Sequence, residues 1–582
     1  MMILADLQPS SPGILTALIA LPVIGAILLC LFRKEQVKQI KTTAIFFSVI
    51  VFIASLFLLG TPEQKILVGD QAYSFAAVEH AVLISNPEIT WTVGVDGISL
   101  WLVLLATFLT PLVLLGSYHT VKKHVREYYI AFLVLETAMI GSLVALDLVV
   151  FYVFFELILI PMYLIIGIWG YERRVYAAVK FFIFTVVGSL FLLVAAVVAY
   201  FQMGEQASFN LLKMYAYLQV DPTLAWWLFA AFALALAIKV PVIPLHTWLP
   251  DAHVQAPTGG SVILAGILLK VGTYGFVRFA IPLFPSAAHE FALAIMILGV
   301  ISVILAAWFA WAQQDMKSLV AYSSISHLGF CMLGMFAFVL VPATGAGLAN
   351  TVIGLQGAVF IMVSHGLTAA ALFMLVGVIY ERRKTRLIDE YGGLAKVMPF
   401  YAIAFMIATL GSIGLPGTSG FVGEFTSLMG TFLASGPGVI LAILAGLGVI
   451  FGAVYMLQLY RRVFFGEVTN PANENLKDMG RTERIFVVPV LVFIMLFGIF
   501  PNMMLDRINP SAERVVGIWA ERLEATYEID EEYERPSHWD EFLEANAEYL
   551  ETRRPTYAGA KEQRKRKLAV EAAAEADVPE DR

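Results

Sequence analysis

Cysteine is scarce in this chain of 582 residues. The two present, Cys30 and Cys331, both lie in apolar runs. A disulfide framework and a cysteine metal cluster are therefore both excluded. The sequence also has no CxxC or CxxCH motif for iron–sulfur or haem attachment. No GxxxxGK[ST] phosphate loop is present either, which disfavours ATP-driven transport. We therefore expect no cofactor and no metal ion in this chain.

Charge is also sparse. Only 14% of the residues are charged and 59% are hydrophobic, against roughly 25% and 45–50% in soluble domains. Apolar runs of 18 or more residues recur along the chain, each long enough to cross about 30 Å of hydrocarbon. The run at about 13–32 is too long for a signal-peptide core and predicts a retained span. The sequence predicts an all-α polytopic membrane protein with about fourteen spans, centred near residues 22, 50, 108, 136, 158, 188, 232, 270, 300, 328, 366, 412, 450 and 493.

Lysine and arginine cluster in alternate loops, which predicts the orientation. The basic loops are 33–41, 122–126, 172–174, 381–386 and 461–484. The loops between them carry at most one lysine each. Because positive loops stay on the cytoplasmic side, fourteen spans place both termini on the external, periplasmic side. We expect an integral protein of the bacterial inner membrane.

Seven ionisable side chains fall inside predicted spans, where a charge costs about 2.5–3.5 kcal/mol even on the lenient insertion scale. Such residues commonly mark an ion or proton path. Either histidine alone could be a packing residue, and Glu136 alone could be a hydrogen-bonding group between helices. A structural ion pair of Glu156 with Lys239 is a further alternative. The seven are Glu136, Glu156, Lys239, Lys270, His327, His365 and Glu424.

Two spans are interrupted beside these charges. Pro241 and Pro244 follow Lys239, and the stretch Gly414-Leu415-Pro416-Gly417 precedes Glu424. A helix break frees backbone groups that must face protein or water, so both breaks predict hydrated cavities. Serine and threonine at 323, 324, 326, 368, 418 and 419 could carry protons through water.

The order of the spans suggests internal repetition. LFLLVAAVV at 190–198 resembles LFMLVGVI at 372–379, and a broken span follows each. Two five-span units with an interrupted fourth helix have opposite orientation, as in transporters built from inverted repeats. The predicted segments are three N-terminal spans (1–120), the first five-helix repeat (121–282), the second five-helix repeat (283–467), a last span (468–505) and a charged C-terminal extension (506–582).

The extension carries the acidity of the chain. It contains 12 Lys+Arg and 20 Asp+Glu, a net charge of −8, against −7 for the whole sequence. We see no apolar face wide enough for a core in this stretch. It is interpreted as a surface-lying or partly disordered segment that packs on a neighbour, or as a passive solvated tail.

Three long stretches carry a resemblance to a known family. They are KVPVIPLHTWLPDAHVQAPTGGSVILAGILLKVGTYGFVRF at 239–279, DMKSLVAYSSISHLGF at 315–330 and GLPGTSGFVGEF at 414–425. With them, residues 90 to 500 resemble the antiporter-like, proton-pumping subunits of respiratory complex I, NADH:quinone oxidoreductase. Within that family the chain is most similar to the subunit M branch (mitochondrial subunit four), which has glutamate at the position of Glu424. The extension departs from the family pattern.

The resemblance implies roles for the buried charges. Glu156 and Lys239 are the input-side pair, Lys270 is the central link, His327 continues it and Glu424 is the exit; His365 and Glu136 support the path. It implies a proton-translocating membrane-arm subunit without a redox site of its own. Flavin, iron–sulfur clusters and quinone are then expected in partner subunits, and the partners are the other membrane-arm subunits, especially the two sister antiporter-like subunits. No nucleic-acid partner is expected. A subunit of a multi-subunit cation/proton antiporter is the alternative, and an inert scaffold is a third interpretation.

Overall fold

The computed structural model describes residues 2–3, 13–69, 71–341, 347–529 and 539–553. Long apolar stretches form helices because, in hydrocarbon, a helix satisfies every backbone hydrogen bond within itself. The first half of the chain contains α1 Ile14–Leu31, α2 Val37–Leu56, α3 Ser99–Gly116, α4 Val125–Val144, α5 Leu148–Leu157, α6 Leu159–Trp169, α7 Arg174–Phe201, α8 Leu211–Tyr217, α9 Pro222–Lys239, α10 Trp248–Gln255, α11 Thr258–Ile263, α12 Leu269–Gly275 and α13 Ile281–Leu283.

The second half is also helical. It contains α14 Pro285–Trp311, α15 Met316–Ala337, α16 Leu348–Arg383, α17 Leu394–Val397, α18 Pro399–Ser412, α19 Ser419–Leu433, α20 Pro437–Phe464, α21 Arg481–Ile499, α22 Asn502–Ile529 and α23 Trp539–Arg553. Single 3-10 turns occupy Phe57–Gly60, Gly204–Gln206, Ile388–Glu390 and Pro471–Asn473.

The described residues include 13 helical stretches that are long and apolar enough to cross a membrane. The shorter apolar helix α18 is not among these 13, and it is separated from α19 by the break at 413–418. The predicted class, an all-α polytopic membrane protein, is confirmed. Many large apolar side chains, such as Ile27, Phe201 and Ile440, remain exposed on the outside of the bundle, where they can face lipid.

Both predicted helix breaks are present. Helix α9 ends at Lys239, and the chain resumes helical structure only at Trp248. Helix α18 ends at Ser412 and α19 begins at Ser419, with Gly414 and Gly417 at φ +68 and +93. Each predicted five-span unit therefore has its interruption in its fourth span. The division at 120, 282, 467 and 505 stays a prediction.

A small sheet lies between the second and third spans, where the sequence analysis placed only a loop. Strands β2 Glu63–Val68, β3 Gln71–Ser85 and β4 Glu88–Val95 form an antiparallel meander, and β1 Met2–Ile3 pairs in parallel with β2. The sheet lies at the end of the bundle opposite to the basic loops. We call this end the far end and the other the basic end.

The C-terminal extension is packed on the bundle, unlike the sequence interpretation. Helix α22 buries one stripe of side chains at helical spacing: Met504, Ile508, Ala512, Val515, Trp519 and Leu523. An apolar face therefore does exist in this stretch, and it rests on the chain's own far end. Residues 530–538 and 554–582 lie outside the described part of the chain.

Candidate functional site

The middle of the bundle holds a row of buried ionisable side chains. Lys270 lies in a span built from α11, α12, α13 and two π-helical segments, Leu264–Leu268 and Phe276–Ala280. Short π-helical stretches are frequent at functional sites. The Lys270 side chain is fully buried. Its Nζ donates to the carbonyl oxygen of Ala265 and lies 2.8 Å from Nδ1 of His365.

The row continues from His365 to the second helix break. The ring centroids of His365 and His327 are 5.4 Å apart. His327 Nδ1 lies 2.6 Å from Oε1 of Glu424, and its Nε2 lies 3.3 Å from the Ser412 hydroxyl. A cavity of about 10 Å³ touches both histidines, Glu424 and Ser412, and Thr368 also lines it. A volume of this size is about enough for one water molecule.

The second break makes room for the Glu424 carboxylate. A Cβ atom on Gly414 would lie 2.8 Å from Glu424 Oε2, and the positive φ of Gly414 also favours glycine. Glu424 is only 6% exposed, although it follows a loop. The glycine-rich break therefore places a carboxylate against a histidine inside the bundle.

The first break holds the other lysine. Lys239 is the last residue of α9 and is 1% exposed. Its Nζ has no hydrogen-bond partner among the described residues and lies 4.3 Å from the centroid of the Phe155 ring. A Cβ atom on Gly272 would lie 3.0 Å from Lys239 Cβ, so Lys239 packs directly against the span that carries Lys270.

Glu156 stands near Lys239 without closing an ion pair. It lies in the last turn of α5, next to the junction with α6. Its Oε1 is buried and lacks a hydrogen-bond partner in the described part of the chain. The ion pairs between described residues do not include Glu156 with Lys239, and the aromatic ring of Phe155 contacts the ammonium group instead. The closed pair expected from the sequence is thus open in this structure.

Glu136 lies apart from this row. Its side chain in α4 is 0% exposed, and both carboxylate oxygens lack a hydrogen-bond partner among the described residues. The structure therefore brings together Lys270, His365, His327 and Glu424, and places Lys239 beside them. Glu136 makes no hydrogen bond to the row among the described residues.

Two further buried groups on the basic side escaped the sequence reasoning. The ring of His253 stacks on Phe373 at 4.7 Å and 7°, with both nitrogens buried and unpartnered within the described ranges. Lys317 is 3% exposed and donates to the carbonyl of Ala256 at 2.5 Å. Both lie near helix ends, where the sequence alone does not separate buried from surface charges.

A buried ion pair joins distant parts of the chain. Asp96 and Arg278 form an ion pair at 2.5 Å with side chains 3% and 2% exposed. Asp96 also accepts from the backbone N–H groups of Ile98 and Ser99 at the start of α3. Burial raises the pKa of Asp96, but the Arg278 guanidinium, the Ser99 N–H and Arg514 together outweigh burial and hold that pKa below its usual value. The pair ties the far end of the Lys270 span to α3.

A cavity of about 600 Å³ opens at the basic end, lined among others by Ser117, Tyr128, Tyr171 and Thr258. Among the described side chains, no three of His, Cys, Asp or Glu converge as metal ligands. The expectation of a chain without metal or cofactor stays a prediction.

The fold and the row define a class: a polytopic membrane protein with ionisable groups buried at broken helices, as in ion transporters. The comparisons refine it. A family model described as NADH:quinone oxidoreductase/Mrp antiporter, transmembrane, matches residues 145–451. A second, described as NADH-ubiquinone oxidoreductase chain 4, amino terminus, matches residues 71–146. This chain belongs to the transmembrane family of NADH:quinone oxidoreductases and Mrp antiporters.

Individual relatives agree. NADH-quinone oxidoreductase subunit M of Rickettsia prowazekii is 43% identical over 507 residues, which cover 86% of this chain and 98% of the relative. NADH-ubiquinone oxidoreductase chain 4 of Arabidopsis thaliana is 40% identical and covers 86% of this chain. A chain of respiratory complex I from Thermus thermophilus superposes with a TM-score of 0.77 at 33% identity, covering 87% of this chain and 99% of the other.

Proposed function

We propose that this chain is a proton-translocating membrane-arm subunit of an NADH:quinone oxidoreductase. The observation that carries the proposal is the row from Lys270 through His365 and His327 to Glu424, with contacts of 2.8 and 2.6 Å at its two ends. These side chains can each hold and release a proton, and they are 0–8% exposed. A row of this kind at helix breaks supports transport of protons across the bundle.

The row has one gap, between the two imidazole rings. Proton transfer requires a hydrogen-bonded path, and none joins the two rings directly, because Nε2 of His365 has no hydrogen-bond partner among the described residues. The small cavity that both histidines line has room for about one water molecule, which can bridge the two rings. A proton leaving Lys270 then passes to His365, through water to His327, and on to Glu424.

In this proposal the position of Lys239 determines when Lys270 releases its proton. The ammonium group of Lys239 is unpartnered in the described structure, and the Cβ atom of this residue lies at the end of α9, against Gly272. Like charges repel more strongly as they approach each other in a medium of low effective dielectric constant, so the position of Lys239 affects how firmly Lys270 holds its proton. When Lys239 moves toward Glu156, this repulsion on Lys270 falls and Lys270 holds its proton. When Lys239 moves back, Lys270 loses its proton toward His365.

The setting of the chain follows from the same proposal. Electron transfer takes place in partner subunits that hold flavin, iron–sulfur clusters and quinone, with no redox site in this chain. The nearest partners are the two sister antiporter-like subunits. The chain lies in the bacterial inner membrane with its basic end in the cytoplasm, because positively charged loops remain inside.

The proposal is tested by Glu156→Gln and Lys239→Ala in the native complex, reconstituted in sealed vesicles. Each variant removes one charge of the Glu156–Lys239 pair. Proton uptake and coupled quinone reduction should therefore fall at least tenfold, while the complex still assembles. Glu127→Gln is the matched control, because Glu127 lies in an exposed ion pair with Lys34 at the basic end. Normal proton pumping by an assembled Glu156→Gln complex would refute the proposal.

The alternative, a cation/proton antiporter subunit, shares the central family model, whose description names both kinds of protein. The match of residues 71–146 to the amino terminus of NADH-ubiquinone oxidoreductase chain 4 favours the oxidoreductase. The two are separated by purification of the native complex. Antiport in a complex without NADH-oxidising partners would support the alternative.

A further inference from the structure

The C-terminal helices α22 and α23 lie across the far end of the bundle. The curated relatives align over 97–98% of their own length but over 86% of this chain, so part of this sequence has no counterpart in them. Three contacts tie the two helices to the spans that carry the buried row.

The first contact is made by Arg522 of α22. Its guanidinium group donates to the carbonyl oxygens of Pro282 at 2.7 Å and Leu283 at 3.1 Å, at the far end of the Lys270 span. It also donates to carbonyls around the end of α8, which are those of Met214, Tyr215 and Leu218. Carbonyls at a helix C-terminus lack partners within the helix and attract positive charge. Arg522 therefore caps two helix ends together.

The second contact is made by Asn546 of α23. Its Oδ1 accepts a hydrogen bond of 2.6 Å from the backbone N–H of Leu348, the first residue of α16. Gly347, the N-cap residue of α16, has no side chain to do this. Asn546 is 2% exposed. It thus acts as an N-cap supplied from a distant part of the chain, at the start of the helix that carries His365.

The third contact is made by Trp519 of α22, which is fully buried. Its ring packs edge-on against Phe338, with centroids 5.2 Å apart, directly after the end of the His327 helix α15. The two C-terminal helices are themselves joined by an ion pair of 2.9 Å between Arg553 and Glu513. One hairpin therefore contacts the far ends of all three helices that carry Lys270, His327 and His365.

We infer that the α22–α23 hairpin is a positioning element that sets the spacing of Lys270, His365 and His327 by holding the far ends of their helices together. The inference rests on the proposed function and assigns Arg522 and Asn546 as positioning residues. Lys270 and His365 meet at 2.8 Å, so a displacement of α16 by about 1 Å is enough to break their hydrogen bond.

The test compares Asn546→Leu with Asn546→Asp in the native complex in sealed vesicles. The leucine cannot accept from Leu348 N–H, whereas aspartate is an equally good N-cap. For Asn546→Leu we expect amide hydrogen exchange in the first turn of α16 to rise about fivefold, as the loss of one cap predicts. Protons moved per substrate oxidised should fall at least twofold. Asn546→Asp should leave the exchange rate and the proton-to-substrate ratio at their wild-type values. Asn502→Leu, at an exposed asparagine of α22, should also change neither quantity.

A purely structural role would lower the amount of assembled complex and leave the proton-to-substrate ratio unchanged. Arg522→Lys is a second test variant, because one ammonium group cannot reach the five carbonyls that the guanidinium group holds. The number of protons moved per substrate oxidised should fall in this variant too. A wild-type ratio in both Asn546→Leu and Arg522→Lys overturns the inference. If Glu156→Gln stops pumping while these two do not, the hairpin inference fails and the proposed function stands.

Discussion

The buried ion pair between Asp96 and Arg278 allows a quantitative prediction. Asp96→Ala leaves the Arg278 guanidinium without its counter-charge at 2% exposure and removes the acceptor for two N–H groups at the start of α3. Breaking a buried pair by removing one partner costs about 3–5 kcal/mol. Asp96→Asn keeps one oxygen to accept from Ile98 and Ser99 but loses the charge and the acceptor for Arg278. Its cost should therefore be smaller than that of Asp96→Ala, about 1.5–3 kcal/mol.

The assay is SDS unfolding of the purified chain in mixed micelles, followed by circular dichroism. Arg278→Met should lower the free energy of unfolding less in the Asp96→Ala background than in the wild type. In that background the guanidinium has already lost its counter-charge, so its removal no longer breaks an ion pair. The pH dependence has a definite sign. The Asp96 pKa is held below its usual value in the folded chain, so its stabilisation is present at neutral pH. That stabilisation is lost as pH falls below about 4.

Asp96→Asn should abolish that part of the acid sensitivity. The prediction is wrong if Asp96→Ala and Asp96→Asn each lower the free energy of unfolding by less than about 1 kcal/mol. It is also wrong if wild type and Asp96→Asn are equally sensitive to acid. Either outcome would mean that the pair does not fasten the Lys270 span to α3.

Two further predictions concern the row itself. Gly366→Ala should destabilise the chain by about 1–3 kcal/mol and reduce pumping, because its Cβ atom would lie 2.5 Å from Leu105 and 2.9 Å from the Gly266 carbonyl. Thermal unfolding measures the loss of stability. Gly446→Ala is the control, because a Cβ atom there would have nothing within 4 Å. Glu424→Gln keeps an oxygen for His327 but loses the proton-binding carboxylate, so proton release in vesicles should fall at least tenfold in an assembled complex. Glu467→Gln, at an exposed carboxylate, should pump normally.

Much of the fold follows from the sequence because a bilayer restricts the choices. Spans must be long and apolar, and helix breaks require proline and glycine beside polar groups. The breaks after Lys239 and before Glu424 are therefore visible in the sequence. The charges of the row stand out for the same reason, since ionisable residues in hydrocarbon are costly.

Other features depend on contacts that no local pattern reveals. Asp96 and Arg278 are 182 positions apart, and nothing near either residue indicates its partner. The open arrangement of Glu156 and Lys239 depends on where Phe155 packs. The apolar stripe of α22 was different, since Ile508, Ala512, Val515 and Trp519 recur at helical spacing. That signal was present but was hidden by the many charges between those positions.

Replacement of Lys270 tests most directly whether this lysine passes protons to His365. Proton release per substrate oxidised is measured in sealed vesicles for the complex with Lys270→Met. Lys41→Met is the control, because Lys41 is also a buried lysine but donates to the carbonyls of Tyr118 and Val121 at the basic end. We expect the ratio to fall for Lys270→Met and to remain unchanged for Lys41→Met. An unchanged ratio in an assembled Lys270→Met complex would contradict it.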